Sequence, residues 1–353
     1  RSWRRVAKEA TGVVAAIVPW NYPFEVTLNK LGPALATGNT VILKAAPNTP
    51  WNATRIGRLV AERTDFPPGV LQVVTTSDNS VAEDLVTDPR VDLVSFTGST
   101  AVGRRIMEKG APTLKRLFLE LGGKSADVVL EDADFEAKLS MAWTVCVHGG
   151  QGCVMLTRML LPRARYDEGI AIMEKAFANV PYGEPTDPVN LQGPQISAAQ
   201  RDRVLGYVEK GVAEGARLVC GGRRPPQFEK GYYVEPTLFA DVDNSMTIAR
   251  EEIFGPVLVV VPFEDDDDAV RIANDNQYGL GVGVTSSSEE RAVAVARRIR
   301  AGTVSLNGGI WYGADAPFGG YKASGIGRQN GREGFEQYTE TKTYAGPAPD
   351  EGG

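Results

Sequence analysis

The sequence predicts an α/β fold made of two doubly wound-type α/β units, and three observations carry that prediction. Residues 13–18 (Val-Val-Ala-Ala-Ile-Val) form a short, continuous apolar run, the mark of a strand buried on both faces. Amphipathic segments alternate with such runs along most of the chain, as in parallel sheets joined by helical crossovers. The length, 353 residues, exceeds one ordinary core and suits two.

In order, the first strand is broken by Pro19-Trp-Asn-Tyr-Pro23, and an amphipathic helix follows over 25–37, closed by Gly38-Asn39. A second strand over 40–43 ends in Lys44, and then come helix 50–62, strand 70–74, helix 78–86 and strand 91–96. Thr97-Gly98-Ser99-Thr100 opens a helix over 101–109. Small hydroxyl residues there either cap the helix or present N–H groups and a positive dipole end to a phosphate. Asn21, Lys44 and Gly98-Ser99 all fall just after strands, where doubly wound sheets bind ligands. Beyond residue 124 the alternation resumes with strand 126–130, helix 134–147, strand 158–161 and helix 166–179. Helix 197–214 and strand 216–220 lie between Pro/Gly-rich loops at 181–194 and 221–231. After the turn Glu251-Glu-Ile-Phe-Gly-Pro256 come helix 267–275, strand 282–285, helix 288–300 and strand 303–306. The acidic run 264–268 caps and starts the first of these helices rather than binding metal. Residues 338–344 alternate strictly and read as a late strand of the kind that adds to a partner's sheet. The chain divides into 1–122, 123–323 and a return segment 324–353.

Composition narrows the function. Apolar residues at 42% and charged residues at 23% describe an ordinary globular chain. The net charge of −6 with no basic block gives no footprint for nucleic acid or anionic membrane. No apolar run approaches the roughly 20 residues of a membrane span. Three cysteines, Cys146, Cys153 and Cys220, are too few and too scattered for a disulfide framework or a zinc site, so no metal is expected. The opening residues lack a signal-peptide core, which makes the cytoplasm the expected compartment. The G-x-G-x-x-G dinucleotide fingerprint is absent: Gly325-Ile-Gly327 lacks its third glycine, and Gly279-Leu-Gly281-Val-Gly283 begins a strand. A nucleotide site here has a less common design.

The chemistry concentrates in Glu120-Leu-Gly-Gly-Lys124 and Gly150-Gln-Gly-Cys153, a carboxylate and a thiol 33 residues apart, each beside glycines. Thioester chemistry needs both groups, a thiolate to attack a carbonyl carbon and a separate base to activate water. Taken alone, such a cysteine is usually an inert core thiol and such a glutamate a solvated carboxylate; the pair carries the reading.

Seven motifs in order resemble the aldehyde dehydrogenase superfamily over nearly the whole chain. They are Pro19-Trp-Asn-Tyr-Pro23, Lys44, Phe96-Thr-Gly-Ser-Thr100, Glu120-Leu-Gly-Gly-Lys124, Gly150-Gln-Gly-Cys153, Glu252-Ile-Phe-Gly-Pro256 and Pro317-Phe-Gly-Gly-Tyr-Lys-Ala-Ser-Gly325. The resemblance implies a Rossmann-like cofactor domain, a catalytic domain and an oligomerisation strand in the return segment. It implies that Cys153 attacks the aldehyde, that Asn21 and the Cys153 N–H form the oxyanion hole, and that Glu120 activates water to release a carboxylic acid. It implies NAD or NADP as cofactor, with Lys44 at the adenosine ribose and Gly98-Ser99 at the pyrophosphate. Glu252 is implied at the nicotinamide ribose, with Trp20, Leu121 and Phe254 lining the cleft. Phe318 is implied in the wall of a substrate tunnel, whose width depends on Trp143, Val147, Gly152 and Trp311. The aromatic-rich Ile310-Trp-Tyr312 favours an apolar or aromatic aldehyde, and a homodimer or homotetramer is expected.

Three departures from the family pattern stand out. Pro47 replaces a Glu that many members use against the adenosine ribose, which leaves both NAD and NADP in play. His148, the only histidine, sits where Asn is common and either tunes Cys153 or packs its loop. The chain begins just before the first motif, without the N-terminal segment of the family; a true truncation would uncover apolar faces. Two readings compete with the dehydrogenase: a thiol hydrolase pairing Cys153 with His148, and an inactive truncated relative.

Overall fold

The structure is a computed structural model that describes residues 2–308 and 312–347. The chain opens with strand β1 (Ser2–Ala10) and strand β2 (Val13–Ile17), followed by helix α1 (Pro23–Ala36) and strand β3 (Thr40–Lys44). Helix α2 (Pro50–Arg63), strand β4 (Leu71–Val74), helix α3 (Asn79–Thr87), strand β5 (Leu93–Thr97), helix α4 (Thr100–Gly110) and strand β6 (Arg116–Glu120) complete the first stretch. Then come β7 (Ala126–Val129), α5 (Phe135–Leu139), β8 (Arg158–Pro162), α6 (Tyr166–Ala178), α7 (Ala198–Ala213), β9 (Arg217–Cys220) and β10 (Thr237–Ala240). They are followed by α8 (Thr247–Arg250), β11 (Val257–Phe263), α9 (Asp266–Asn274), β12 (Tyr278–Gly279), β13 (Gly281–Thr285), α10 (Glu289–Ala296) and β14 (Thr303–Leu306). The chain closes with β15 (Tyr321–Lys322), β16 (Gly325–Ile326), α11 (Gly331–Glu336) and β17 (Thr339–Pro347).

Two compact units result: residues 1–120, 313–318 and 326–353 form the first, and 121–312 with 319–325 the second. In the first unit five strands run parallel in the order β6-β5-β2-β3-β4, with the short β16 beyond β6. The order reverses at β2, whose neighbours are β3 on one side and β5 on the other, so a crevice opens beyond the carboxyl ends of β2 and β5. Its core gathers Val14, Leu43, Leu93 and Phe118.

In the second unit the order is β14-β13-β7-β8-β11-β10-β9, parallel except for β9. Neighbouring residues alternate between two buried faces: Val128, Leu160 and Val259 pack on one, and Val129, Leu161 and Val260 on the other. Such strands read as unbroken apolar runs because helices cover both sides. The mixed α/β architecture with parallel sheets is the one the sequence predicts.

Several elements differ from the sequence reading. The helix expected over 134–147 stops at Leu139, and a run of tight turns follows over Ala142–Gly150, broken by left-handed His148 and Gly149. Thr144, Val145 and Val147 stiffen this stretch against regular helix, and the glycines turn it toward Cys153. The acidic helix starts one residue early, at Asp266, with Asp265 as N-cap accepting from the Asp268 N–H. Helix α10 ends at Ala296 rather than 300. The late strand, β17, pairs antiparallel with β1 of the same chain. Among the described residues, no helix is long and apolar enough to cross a membrane.

Candidate active site

In the first unit, five residues singled out by the sequence stand at or just beyond the carboxyl ends of parallel strands. Asn21, 8% exposed, lies between β2 and α1, and Lys44, 5% exposed, ends β3, where burial lowers its ammonium pKa. Ser99 follows β5 and is the N-cap of α4, its Oγ accepting the Val102 N–H at 3.3 Å. The Gly98 N–H donates to the Glu120 carbonyl at 3.0 Å, so it helps hold β5 and β6 together at their ends. Glu120 ends β6 and is 2% exposed. Trp20 is partly buried beside Asn21, and Phe318, 5% exposed, exchanges two backbone hydrogen bonds of 2.6 Å with Gln329.

The same crevice holds a pocket of about 330 Å³ between α3 and α4. Ile17 and Phe96 from the ends of β2 and β5 form its floor, Val86, Val102 and Ile106 line it, and Glu83 and Arg105 pair at 2.5 Å among its lining residues. An apolar slot next to a helix N-terminus at a strand-order reversal suits a flat aromatic group joined to a phosphate. The sequence reading did not find this slot, because α3 and α4 come together only in the fold.

Lys30 was also missed. It is fully buried, donates to Ser95 Oγ at 3.1 Å, stands over the Phe118 ring at 4.7 Å, and feels the charge of Glu120. Ser95 Oγ in turn lies 2.9 Å from the Tyr338 hydroxyl. The signal was present: the buried stripe of α1 runs Val26, Thr27, Lys30, Leu31, Ala34, so a lysine occupies an apolar helical position.

In the second unit the loop after Glu120 is built on close approach. A Cβ on Gly123 would lie 2.6 Å from the Cys153 carbonyl oxygen, and one on Gly122 would lie 2.3 Å from the Glu252 carboxylate. Glu252 Oε1 accepts the Gly123 N–H at 3.1 Å. Burial pushes the Glu252 carboxyl up to about 7, opposed by that N–H and by Arg203 and Lys124. Leu121, buried, donates its N–H to the Ser324 carbonyl at 3.0 Å. Gly150, at φ +71, sits against Gly255, where a Cβ would lie 2.1 Å from backbone. The neighbouring Phe254 holds a left-handed φ of 61, and its carbonyl accepts from Gln200 Nε2 at 2.8 Å. Cys153, Glu252 and Phe254 thus belong to one set of interlocked loops, and strain of this kind persists where surrounding contacts fix it.

The three thiols differ. Burial pushes the Cys146 thiol far up and Cys220 up to about 11, which makes both poor nucleophiles. Cys153 is partly exposed. His148 is exposed, and its backbone is engaged by Leu191 and Gln151. Ile310 and Trp311 of the expected aromatic substrate stretch lie outside the described residues.

Comparison with known proteins gives a consistent picture. The model of the aldehyde dehydrogenase family matches residues 1–344. A 3-succinoylsemialdehyde-pyridine dehydrogenase from Pseudomonas sp. is 44% identical over 344 residues, 97% of this chain and 72% of that protein. Geranial dehydrogenase from Castellaniella defragrans is 46% identical over 339 residues, 96% of this chain and 70% of that one. Among solved structures, Mycobacterium tuberculosis aldehyde dehydrogenase complexed with NAD+ superposes with a TM-score of 0.93 at 47% identity, covering 96% of this chain and 70% of that one. A mutant of aldehyde dehydrogenase C from Pseudomonas syringae, complexed with NAD+ and octanal, gives 0.95 at 42% identity, covering 99% and 72%.

Proposed function

This chain belongs to the aldehyde dehydrogenase family, and we propose that it oxidises an aldehyde to the carboxylic acid with NAD or NADP through a thioester on Cys153. The observation that carries the reading is the crevice of the first unit, where an apolar slot, a helix N-terminus and buried Asn21, Lys44 and Glu120 share the carboxyl ends of one parallel sheet.

The Cys153 thiolate adds to the aldehyde carbon, and the carbonyl oxygen becomes an oxyanion stabilised by the Asn21 amide and the Cys153 N–H. NAD or NADP, when bound, accepts the hydride that this adduct must lose to become a thioester. Glu120 takes a proton from water as the water oxygen adds to the thioester carbon, and the acid leaves as the thiolate returns. The slot between α3 and α4 takes the adenine, Lys44 the adenosine ribose, and Gly98 and Ser99 the pyrophosphate. Trp20, Leu121, Glu252 and Phe254 hold the nicotinamide end, and Phe318 walls the substrate path. Pro47 places no carboxylate after Lys44, so we expect the 2′-phosphate of NADP to be accepted as well as NAD. One similar protein is named geranial dehydrogenase and another is complexed with octanal, which supports an apolar aldehyde. The free thiols fit a cytoplasmic enzyme, and the exposed β1–β17 ribbon fits a homodimer or homotetramer.

Absorbance at the NAD(P)H band, with each cofactor and a panel of octanal, geranial and benzaldehyde, tests the reading. Signal from the parent and none from Cys153→Ser is expected. Glu120→Gln should give a burst of about one NAD(P)H per site and then stall at the thioester. Folded parent protein that yields no signal with either cofactor overturns the proposal.

A further inference from the structure

Two buried cations of the second unit lie at one small pocket with donors that no protein group accepts. Lys124, just before β7, is 2% exposed, and its Nζ has no hydrogen-bond partner. Arg158, the first residue of β8, is 1% exposed. Its Nη1 donates to Asn244 Oδ1 at 2.7 Å and the Ile272 carbonyl at 2.9 Å, and its Nη2 to the Ala273 carbonyl at 3.1 Å. Its Nε has no partner. Both residues, with the exposed Arg300, line a pocket of about 10 Å³, and no Asp or Glu lines it. A fourth cation, Lys322, is near enough that Arg300 and Arg158 help to lower its pKa.

Buried charge without a hydrogen-bonded partner is among the costliest features a fold can carry. The carboxylates that oppose these charges are engaged elsewhere. Glu252 is bonded to the Gly123 N–H, and Asp275 pairs with Arg250 at 2.7 Å. Burial and the Arg158 charge push the Lys124 ammonium down to about 7, against Glu252. The pocket is small, with room for little more than one water-sized particle, so its occupant is compact. Of the polar side chains that line the pocket, Lys124, Arg158 and Arg300 can only donate, and Ser125 and Tyr278 can donate or accept. A single-atom anion accepts from every side.

We propose that Lys124 and Arg158 bind one small monovalent anion of chloride size, with Arg300 at the mouth of the pocket. The anion accepts from Lys124 Nζ and Arg158 Nε and offsets the charge that the surrounding carbonyls leave uncompensated. It is a structural ligand, independent of the proposed dehydrogenase chemistry.

Crystals of the full chain soaked in sodium bromide test the occupant directly. An anomalous bromide peak at hydrogen-bond distance from Lys124 Nζ and Arg158 Nε is expected. In solution, the thermal midpoint in sodium chloride should exceed that in sodium gluconate at equal ionic strength by about 2 °C or more. Lys124→Met should abolish this difference, and the parent crystals need no variant if that chain fails to fold. Water density without an anomalous peak, or equal midpoints of the parent in the two salts, overturns the proposal.

Discussion

Burial pushes the Lys30 ammonium from 10.5 down to about 7, with the charge of Glu120 opposing the shift. Between those values the unfolded chain holds a proton that the folded chain has lost, so folding stability rises with pH across the window. Lys124 has the same sign. Glu252, raised from 4.5 to about 7, has the opposite one: the folded chain keeps a proton the unfolded chain has shed, and stability falls as pH climbs through that range. Denaturant unfolding at about pH 5, 7 and 9 should therefore show a minimum near 7, with greater stability at both 5 and 9. Lys30→Met should flatten the alkaline rise; an unchanged slope would show that Lys30 keeps its proton by another route. The residue scale is also where the sequence spoke most clearly, since Asn21, Lys44 and Ser99 fall after strands marked off by glycine, proline and polarity breaks. Lys30 falls on the apolar stripe of α1, but a lysine in an amphipathic helix reads as solvated until Phe118 and Ser95, 88 and 65 residues away, enclose it.

The crossover from β6 to β7 shows how an element constrains chemistry. Gly123 has backbone at 2.6 Å from where a Cβ would stand, so Gly123→Ala must shift the Cys153 carbonyl or the loop itself. A displacement of about 1 Å near reacting groups costs on the order of 10² in rate, so kcat should fall at least that far while the proposed cofactor slot of the first unit still binds. Loss of cofactor binding along with activity would mean that the whole chain had misfolded. Helix α4 allows a finer separation. Ser99→Ala removes a cap worth about 1 kcal/mol of stability. If Ser99 also meets the pyrophosphate, KM for the cofactor rises about tenfold or more, at ~1.4 kcal/mol per factor of ten. A lowered melting midpoint with unchanged KM would leave Ser99 as a cap alone. Elements were legible where apolar runs are bounded by breakers. β6, β10 and β11 went unread for different reasons. β6 starts on an arginine and ends in the Glu120-Leu-Gly-Gly-Lys124 motif, and β10 is four residues long. β11, Val257–Phe263, is a plain apolar run that the rule applied to residues 13–18 would have found.

At the scale of the molecule, β1 and β17 pose a packing problem that one chain does not solve. They pair antiparallel over nine residue pairs, from Ser2 opposite Pro347 to Ala10 opposite Thr339. Ion pairs such as Lys342 with Glu9, and Arg116 reaching the Thr339 carbonyl at 2.8 Å and Glu340 at 2.6 Å, tie the ribbon at one end. An isolated two-stranded ribbon is marginal in water, and its outer edges offer unpaired backbone groups. This one also exposes Trp3 (46%) and Tyr344 (44%) on one face, since Trp3 lies opposite Gly346 and Arg5 opposite Tyr344. Alternation in 338–344 made β17 legible, but Ser2–Ala10 presents no buried face and so no period by which to recognise its partner. A second copy of the chain is the cover we propose for this surface, through the exposed aromatic face, a free edge, or both. Trp3→Glu with Tyr344→Glu places like charges on that face. Light scattering should find the parent as a dimer or tetramer and the double variant at the mass of one chain, with far-UV circular dichroism unchanged. A parent that is already a monomer at micromolar concentration would remove the need for a cover and the homo-oligomer with it.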